Sequence, residues 1–133
     1  MKILLCKGQI LRMINEQVHP LDVTGARTAI ESLVNKRRNV GWINEPKQED
    51  VDLMNDNEIQ SIKVPSNPYD AYVIYLDGHE NEAKELKNIA ERYKGFLSPQ
   101  SSDEETQRIG RILSYPENEI EEYIKKRNYI ETI

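Results

Sequence analysis

The stretch Ala71-Tyr72-Val73-Ile74-Tyr75-Leu76 decides the expected fold. β-Branched and aromatic residues dominate it and no charge interrupts it, which is typical of a central strand buried on both faces. Asp77-Gly78 follows as a turn, and the spacing from Asp77 to Glu80 predicts a capping box at the start of a helix. That helix is expected to reach about residue 94, with an inner stripe formed by Ala83, Leu86, Ala90 and Tyr93.

The N-terminal part of the chain leaves two interpretations open. Residues 1–6 fit a buried strand, and residues 9–18 then fit a short helix. A single helix over residues 2–18 is the alternative, because Gly8 would weaken it by only about 1 kcal/mol.

A second helix is expected after Thr24, which can act as its N-cap. Its last turn would hold residues 36–38, where cations complement the helix dipole. Residues 39–47 are predicted to form a loop, with Trp42 and Ile43 folded back onto the core.

Downstream patterns complete the expected architecture. Residues 49–54 predict one or two helical turns, and residues 58–64 an edge-like strand. Ser102 and Glu105 form a second capping-box pattern, and Tyr115-Pro116 separates two helices of a C-terminal αα-hairpin. The prediction is a single domain over residues 1–133, of the α/β or α+β class, with a small sheet of about three strands and helices packed on it.

Composition excludes several classes of protein. The 133 residues include one cysteine, so no internal disulfide can form, which fits a reducing cytoplasmic location. No apolar run approaches the roughly 20 residues that cross a bilayer, and no secretory-signal pattern is present, so no membrane association is expected. The formal net charge is -5, which disfavours general attraction to nucleic acid.

The first candidate site is Asp77-Gly78-His79-Glu80, which follows the predicted central strand. Ligands of α/β sheets bind at the carboxyl ends of strands. His79 could act as a general base oriented by Asp77 or Glu80. If strands 1–6 and 71–76 are parallel neighbours, Cys6 could join this group as a nucleophile. The alternative is a helix start beside a solvated histidine, with Cys6 as a small buried side chain.

No metal or cofactor is expected from the sequence. Two histidines sixty residues apart and one cysteine provide no compact set of metal ligands. Glycine-rich phosphate-binding motifs and the zinc-protease motif are missing as well.

A basic cluster, Lys36, Arg37 and Arg38, lies close in sequence to Trp42. Cations beside an aromatic ring can bind an acidic protein partner or an RNA strand. Complementation of a helix dipole is the simpler explanation and requires no partner.

The helix pair at residues 103–127 has the outline of a helix-turn-helix. The second helix of that motif directs its N-terminal residues at the bases, and here Glu117, Glu119, Glu121 and Glu122 would face a polyanion. The pair is therefore interpreted as a packed αα-hairpin, and DNA binding ranks third among the candidate functions.

Residues 108–123 carry one family resemblance. Arg108-Ile109-Gly110-Arg111-Ile112-Leu113-Ser114-Tyr115-Pro116 resembles the G-x-L-L-G-Y-P block of an uncharacterised, mainly archaeal protein family. A cysteine pair follows the tyrosine-proline in that family, whereas Asn118 and Glu119 stand here. The resemblance implies a cytosolic protein and transfers no site residue.

The expected function is that of a small, non-catalytic interaction or regulatory protein. Its partner is expected to be another protein, bound through charge-paired helices and residues 36–38. The alternative is a small enzyme or ligand-binding domain with its pocket at the carboxyl end of strand 71–76. The oligomeric state stays open, since an edge strand at 58–64 could pair across a dimer axis.

Overall fold

The computed structural model describes residues 25–131. These residues form five helices and a three-stranded antiparallel sheet, which confirms the α+β expectation. The helices are α1 (Ala26–Val34), α2 (Gln48–Asp56), α3 (Glu80–Glu91), α4 (Asp103–Ile112) and α5 (Glu117–Glu131). The strands are β1 (Val40–Asn44), β2 (Gln60–Val64) and β3 (Ala71–Tyr75). The predicted N-terminal strand and helix, with Cys6 and Thr24, lie outside the described residues.

β3 is the central strand, as its composition predicts. The strand order is β1-β3-β2, and β3 pairs antiparallel with both neighbours. Val73 lies opposite Trp42 on one side and Ile62 on the other. β2 forms the exposed edge that the sequence predicts for this segment.

Helices cover both faces of the sheet. Val73 and Tyr75 belong to a core shared with α3, α4 and α5. Ile74, which points to the opposite face, packs with side chains of α1 and α2. A strand with helices on both sides has no solvated face, which explains why β3 is apolar without alternation. No helix within residues 25–131 is long and apolar enough to cross a membrane.

The prediction of a loop over residues 39–47 is wrong for its first half, which is β1. Trp42 and Ile43 are buried as expected, but they reach the core from a strand. Pairing with β3 stabilises this strand despite the low strand propensity of Gly41. The absence of a side chain there lets α1 approach closely, because an added Cβ would lie 3.3 Å from Leu33 Cδ1.

α1 ends earlier than the sequence predicts. The helix stops at Val34, so residues 36–38 follow it and do not lie in its last turn. Arg37 N donates to Ser32 O at 2.8 Å and Lys36 N to Leu33 O at 3.0 Å, the hydrogen bonds of a Schellman motif. Lys36 occupies the left-handed position of this motif, with φ 57°.

Three other helices end in the same kind of motif, again without a glycine at the left-handed position. Those positions are held by Glu58 after α2, Lys94 after α3 and Ser114 after α4, with φ of 57°, 62° and 66°. At the end of α4, for example, Tyr115 N donates to Gly110 O at 2.9 Å. Each such residue carries a conformational cost of roughly 1 kcal/mol that glycine would avoid.

The predicted capping box at Asp77 is wrong, whereas the one at Ser102 is confirmed. α3 begins at Glu80 with His79 as its N-cap, and no side chain caps it. Gly78, with φ 90°, inserts a turn that leaves Asp77 two residues ahead of the cap and out of reach. At α4, Glu105 N donates to Ser102 Oγ at 3.1 Å, and Ser102 N donates to Glu105 Oε1 at 3.0 Å.

α4 and α5 form the predicted αα-hairpin. Their facing side chains are buried: Ile109, Ile112, Leu113, Ile120 and Tyr123. Burial raises the pKa of Tyr123 to about 12. The hairpin therefore completes the core on the α3 side of the sheet.

Candidate functional site

The two predicted sites lie at the same end of the sheet. Leu76 N, just beyond β3, donates to Asn39 O at 3.0 Å. This bond continues the pairing of β1 with β3 past their last ladder pair, Val40 and Tyr75. Residues 36–38 and residues 77–80 consequently flank the same carboxyl end of β3, although the sequence separates them by about forty residues.

Asp77 and Glu80 line an open depression of about 260 Å³ at this end of the sheet. The remaining lining residues are Gln60, Tyr75, Gly78 and Asn81. We call this surface the acidic depression. The sequence identified its two carboxylates, whereas Gln60 enters only through the pairing of β2 with β3.

His79 does not join the two carboxylates in the acidic depression. Its Nδ1 lies 3.2 Å from Glu82 Oε1, one turn into α3. The carboxylate that His79 contacts is therefore that of Glu82, and not that of Asp77 or Glu80 as the sequence predicts. Since Cys6 lies outside the described residues, the proposed nucleophile is not placed.

Metal-ligating side chains are also not grouped in the part of the chain that the structure describes. Among residues 25–131, no cluster of three His, Cys, Asp or Glu side chains could hold a metal ion. Two carboxylates in an open depression can still bind organic cations, accept hydrogen bonds and hold water.

Lys36, Arg37 and Arg38 form an exposed basic corner. Lys36 and Arg37 are exposed, and neither forms an ion pair within the described residues. Arg38 is half-buried, with its guanidinium carbon 5.0 Å from the centroid of the Tyr115 ring, within the range of a cation–π contact.

The aromatic partner predicted for this cluster is corrected. Trp42 is only 4% exposed and packs in the core, so it cannot offer its ring to a ligand of the basic corner. Tyr115 takes that place, because the α4–α5 connection passes beside Arg38. In the sequence Tyr115 reads only as part of a helix break.

Charged side chains on α3, α4 and α5 are largely paired with one another. Arg108 binds Glu85 in α3 with two hydrogen bonds, one of them 2.9 Å long. Arg111 Nε donates to Glu117 Oε1 at 2.7 Å, and this bond lowers the pKa of Glu117. The surface that the sequence assigned to charge-paired helices therefore has much of its charge satisfied internally.

Comparison with known proteins adds no residue role to this picture. Neither a protein-family model, nor a curated protein, nor a solved structure matches the chain. The significance of the basic corner and of the acidic depression follows from their own exposure, charge and contacts.

Proposed function

We propose that the protein is a non-catalytic interaction protein that binds an acidic segment of another protein through its basic corner. The observation that carries this proposal is the pair of adjacent, exposed cations, Lys36 and Arg37, which form no ion pair within residues 25–131. The chain as a whole has a net charge of -5. Uncompensated positive charge on such a protein favours anionic groups at that place and steers their approach.

The backbone around the basic corner supports this role because it is held on both sides. The Schellman bonds of Lys36 N and Arg37 N fix it to the end of α1, and the bond from Leu76 N to Asn39 O fixes it to β3. A site that is already ordered loses less conformational entropy when a partner binds.

A protein partner is favoured over duplex DNA by the signs of the charges on the hairpin. The first turn of α5 holds Glu117 and Glu119, where a recognition helix would meet the polyanion. Arg111, a cation near the end of α4, is engaged by Glu117. DNA binding through the helix pair accordingly stays the third candidate.

The small-enzyme alternative receives support from one observation. Asp77 and Glu80 line the same depression, as a pair of catalytic carboxylates would. It ranks second because the imidazole of His79 pairs with Glu82, which does not line the depression.

Fluorescence anisotropy with a labelled Asp/Glu-rich peptide tests the proposal. The double variant Lys36→Glu/Arg37→Glu should weaken binding by about tenfold, equivalent to about 1.4 kcal/mol. The matched control is Lys94→Glu/Lys125→Glu, which changes the net charge by the same amount. Both lysines are exposed, and neither forms an ion pair within the described residues. Binding by the control should stay within about twofold of the unaltered protein.

Two outcomes would overturn the proposal. Equal weakening in both double variants would mean that only the net charge matters. Binding of a labelled single-stranded RNA more tightly than the peptide, lost in Lys36→Glu/Arg37→Glu, would assign the basic corner to nucleic acid instead. Circular dichroism of each variant verifies that the fold is retained.

A further inference from the structure

We infer that β2 is a self-association edge, through which two copies of the chain pair as antiparallel strands about a two-fold axis. β2 is an outer strand of the order β1-β3-β2, and no other strand lies beside it within residues 25–131. Three of its five residues are exposed: Gln60, Ser61 and Lys63. The inference does not depend on the proposed function, because the basic corner precedes β1, at the opposite edge of the sheet.

The hydrogen bonds of β3 show which way the backbone groups of β2 point. Leu76 N donates to Asn39 O at 3.0 Å, so Leu76 directs its backbone polar groups at β1. This direction alternates from residue to residue along an antiparallel strand. Val73, three residues before Leu76, therefore directs its groups at β2, where Ile62 lies opposite it.

The neighbours of Ile62 in β2 consequently point the other way. Ser61 and Lys63 direct their N–H and C=O groups away from β3, toward the open side of the sheet. Ile59, whose position in the alternation is the same, confirms the direction, since its N–H bonds Met54 O at 2.9 Å and not β3. Unpaired backbone groups on an exposed edge are a template for another strand.

One register lets both outward residues pair in a symmetric dimer. With the two-fold axis at Ile62, Ser61 of each copy lies opposite Lys63 of the other copy. Each of these pairs exchanges two backbone hydrogen bonds, one in each direction. The two Ile62 residues form the non-hydrogen-bonded pair between them, where cross-strand side chains approach most closely.

Residues at the two ends of the edge exclude the neighbouring registers. An axis at Ser61 would place Lys63 opposite Ile59, whose N–H is already bonded to Met54 O. An axis at Lys63 would set the two lysines directly opposite each other, and like charges in that position are destabilising. It would also set Ser61 opposite Pro65, which has no N–H to donate. The edge is therefore self-complementary in one register.

The side chains of β2 also suit a second copy of the chain. Ile62 is half-buried against the core on the α3 side, and contact with its counterpart would bury more of it. Lysine on an edge strand normally opposes association, but Lys63 Nζ lies 3.2 Å from Asp70 Oδ2, which balances its charge within the chain. Pro65 limits the contact to a few residues, so we expect a weak dimer with Kd about 100 µM.

Sedimentation velocity between about 10 µM and 1 mM tests the inference. We expect a monomer–dimer equilibrium, and ¹H–¹⁵N NMR over the same range should show concentration-dependent shifts at residues 59–64. In a mixture of ¹³C-labelled and unlabelled chains, an intermolecular NOE should join the Hα atoms of Ile62. The non-hydrogen-bonded pair brings their Cα atoms to about 4.5 Å.

Charges placed at Ser61 test the register itself. Ser61→Glu sets a carboxylate opposite Lys63 of the other copy and should tighten the dimer by about fivefold, whereas Ser61→Lys sets like charges there and should weaken it by about fivefold. The matched controls are Thr28→Glu and Thr28→Lys on the exposed surface of α1, which change the net charge by the same amounts. Each control should stay within about twofold of the unaltered protein.

Proline at the same position tests the outward hydrogen bonds. Ser61→Pro removes an N–H that points away from β3 and leaves the bonds of Ile62 to β3 in place, so the dimer should weaken by about tenfold or more. Ser61→Ala keeps that N–H and is the control. Circular dichroism checks the fold of each variant, and if Ser61→Pro does not fold, the two charge variants decide.

Three results would overturn the inference. The first is a protein that is monomeric up to about 1 mM. The second is a change of the same sign in Ser61→Glu and Ser61→Lys, or no change in either variant. The third is a dimer whose concentration-dependent shifts lie outside residues 59–64. None of these results would alter the binding of the acidic peptide that the proposed function predicts, since that is measured on the basic corner.

Discussion

Arg127 and Thr106 form the central polar contact of the α4–α5 hairpin: Nη1 of Arg127 donates to Thr106 Oγ1 at 2.6 Å. Both residues are buried, and only 4% of Arg127 is exposed. Ser101 Oγ lies 2.8 Å from the same threonine oxygen, and Asp103 accepts a bond from Nη2 of Arg127. One hydroxyl thus connects a buried guanidinium to the first turn of α4.

Replacing Thr106 with valine should destabilise the protein by about 1–3 kcal/mol. The substitution keeps the shape and removes the hydroxyl, so one guanidinium nitrogen and Ser101 Oγ lose a partner in a buried place. Urea denaturation measures the loss. The matched control is Thr28→Val on the exposed surface of α1, which should stay within about 0.5 kcal/mol, and equal stability of the two variants would contradict the prediction.

Alanine at three glycines should give a graded loss of stability. At Gly95, with φ 86°, an added Cβ would lie 2.3 Å from Pro65 O, so we expect a loss of about 3 kcal/mol or more from strain and collision. At Gly78, with φ 90°, an added Cβ would meet open space, so only the unfavourable backbone conformation would lower the stability, by about 1 kcal/mol. Gly25 has an ordinary φ and open space, and its substitution should cost least. Thermal unfolding of the three variants should rank them in that order; Gly95→Ala as stable as Gly78→Ala would refute the close approach.

Glycine at the left-handed helix ends should have the opposite effect. Ser114→Gly and Glu58→Gly should each stabilise the protein by about 0.5–1 kcal/mol, because glycine adopts a positive φ without steric cost. Ser114→Ala is the control and should bring no gain; denaturant midpoints compare the variants.

The hydrogen bond from Tyr93 to Glu105 should make stability depend on pH at the acid end. This bond is the main reason that the pKa of Glu105 lies below its ordinary value of 4.5, and the hydrogen bond from Ser102 N is the second. Because the folded pKa is depressed, the stabilisation is complete above the unfolded pKa and is lost as pH falls through the folded pKa. Urea unfolding at about pH 6 and at about pH 3 should show this loss.

Removal of the tyrosine hydroxyl provides the matching variant for that measurement. Tyr93→Phe should lower stability near neutral pH and leave a smaller difference between the two pH values. The same bond raises the pKa of Tyr93, so its contribution is present below the unfolded pKa of 10.0 and is lost as pH rises through the folded value. An unchanged pH dependence in Tyr93→Phe would show that other carboxylates dominate.

His79→Ala separates the interaction protein from the enzyme alternative. The imidazole contacts Glu82 on a partly exposed surface, so its loss should change the free energy of unfolding by no more than about 0.5 kcal/mol. Binding of the acidic peptide should be unchanged. If the variant instead loses a measured turnover while its thermal unfolding stays the same, the enzyme alternative is correct.

The elements that the sequence predicted well are those whose signal is local. β3 is recognisable because every residue from Ala71 to Tyr75 must suit a strand covered on both faces. The capping box at Ser102 succeeded for the same reason, since its two partners are three residues apart. At Asp77 the same pattern failed, because the conformation of Gly78 decides where α3 begins.

Features that depend on contacts between distant residues were missed. β1 is a strand because it pairs with β3, and its own residues do not predict a strand. Tyr115 meets Arg38 across more than seventy residues of chain. Gln60 reaches the acidic depression from another strand. A pattern within a short window of sequence cannot reveal contacts between residues so far apart in the chain.

The order β1-β3-β2 has a consequence for synthesis on the ribosome. β1 and β2 emerge first, yet they lie on opposite sides of β3 and do not pair with each other. A nascent chain that stops before residue 71 therefore holds two strands whose shared neighbour has not been made. The sheet can close only when β3 inserts between them, so translation through residue 75 should mark the earliest point at which this domain gains resistance to protease.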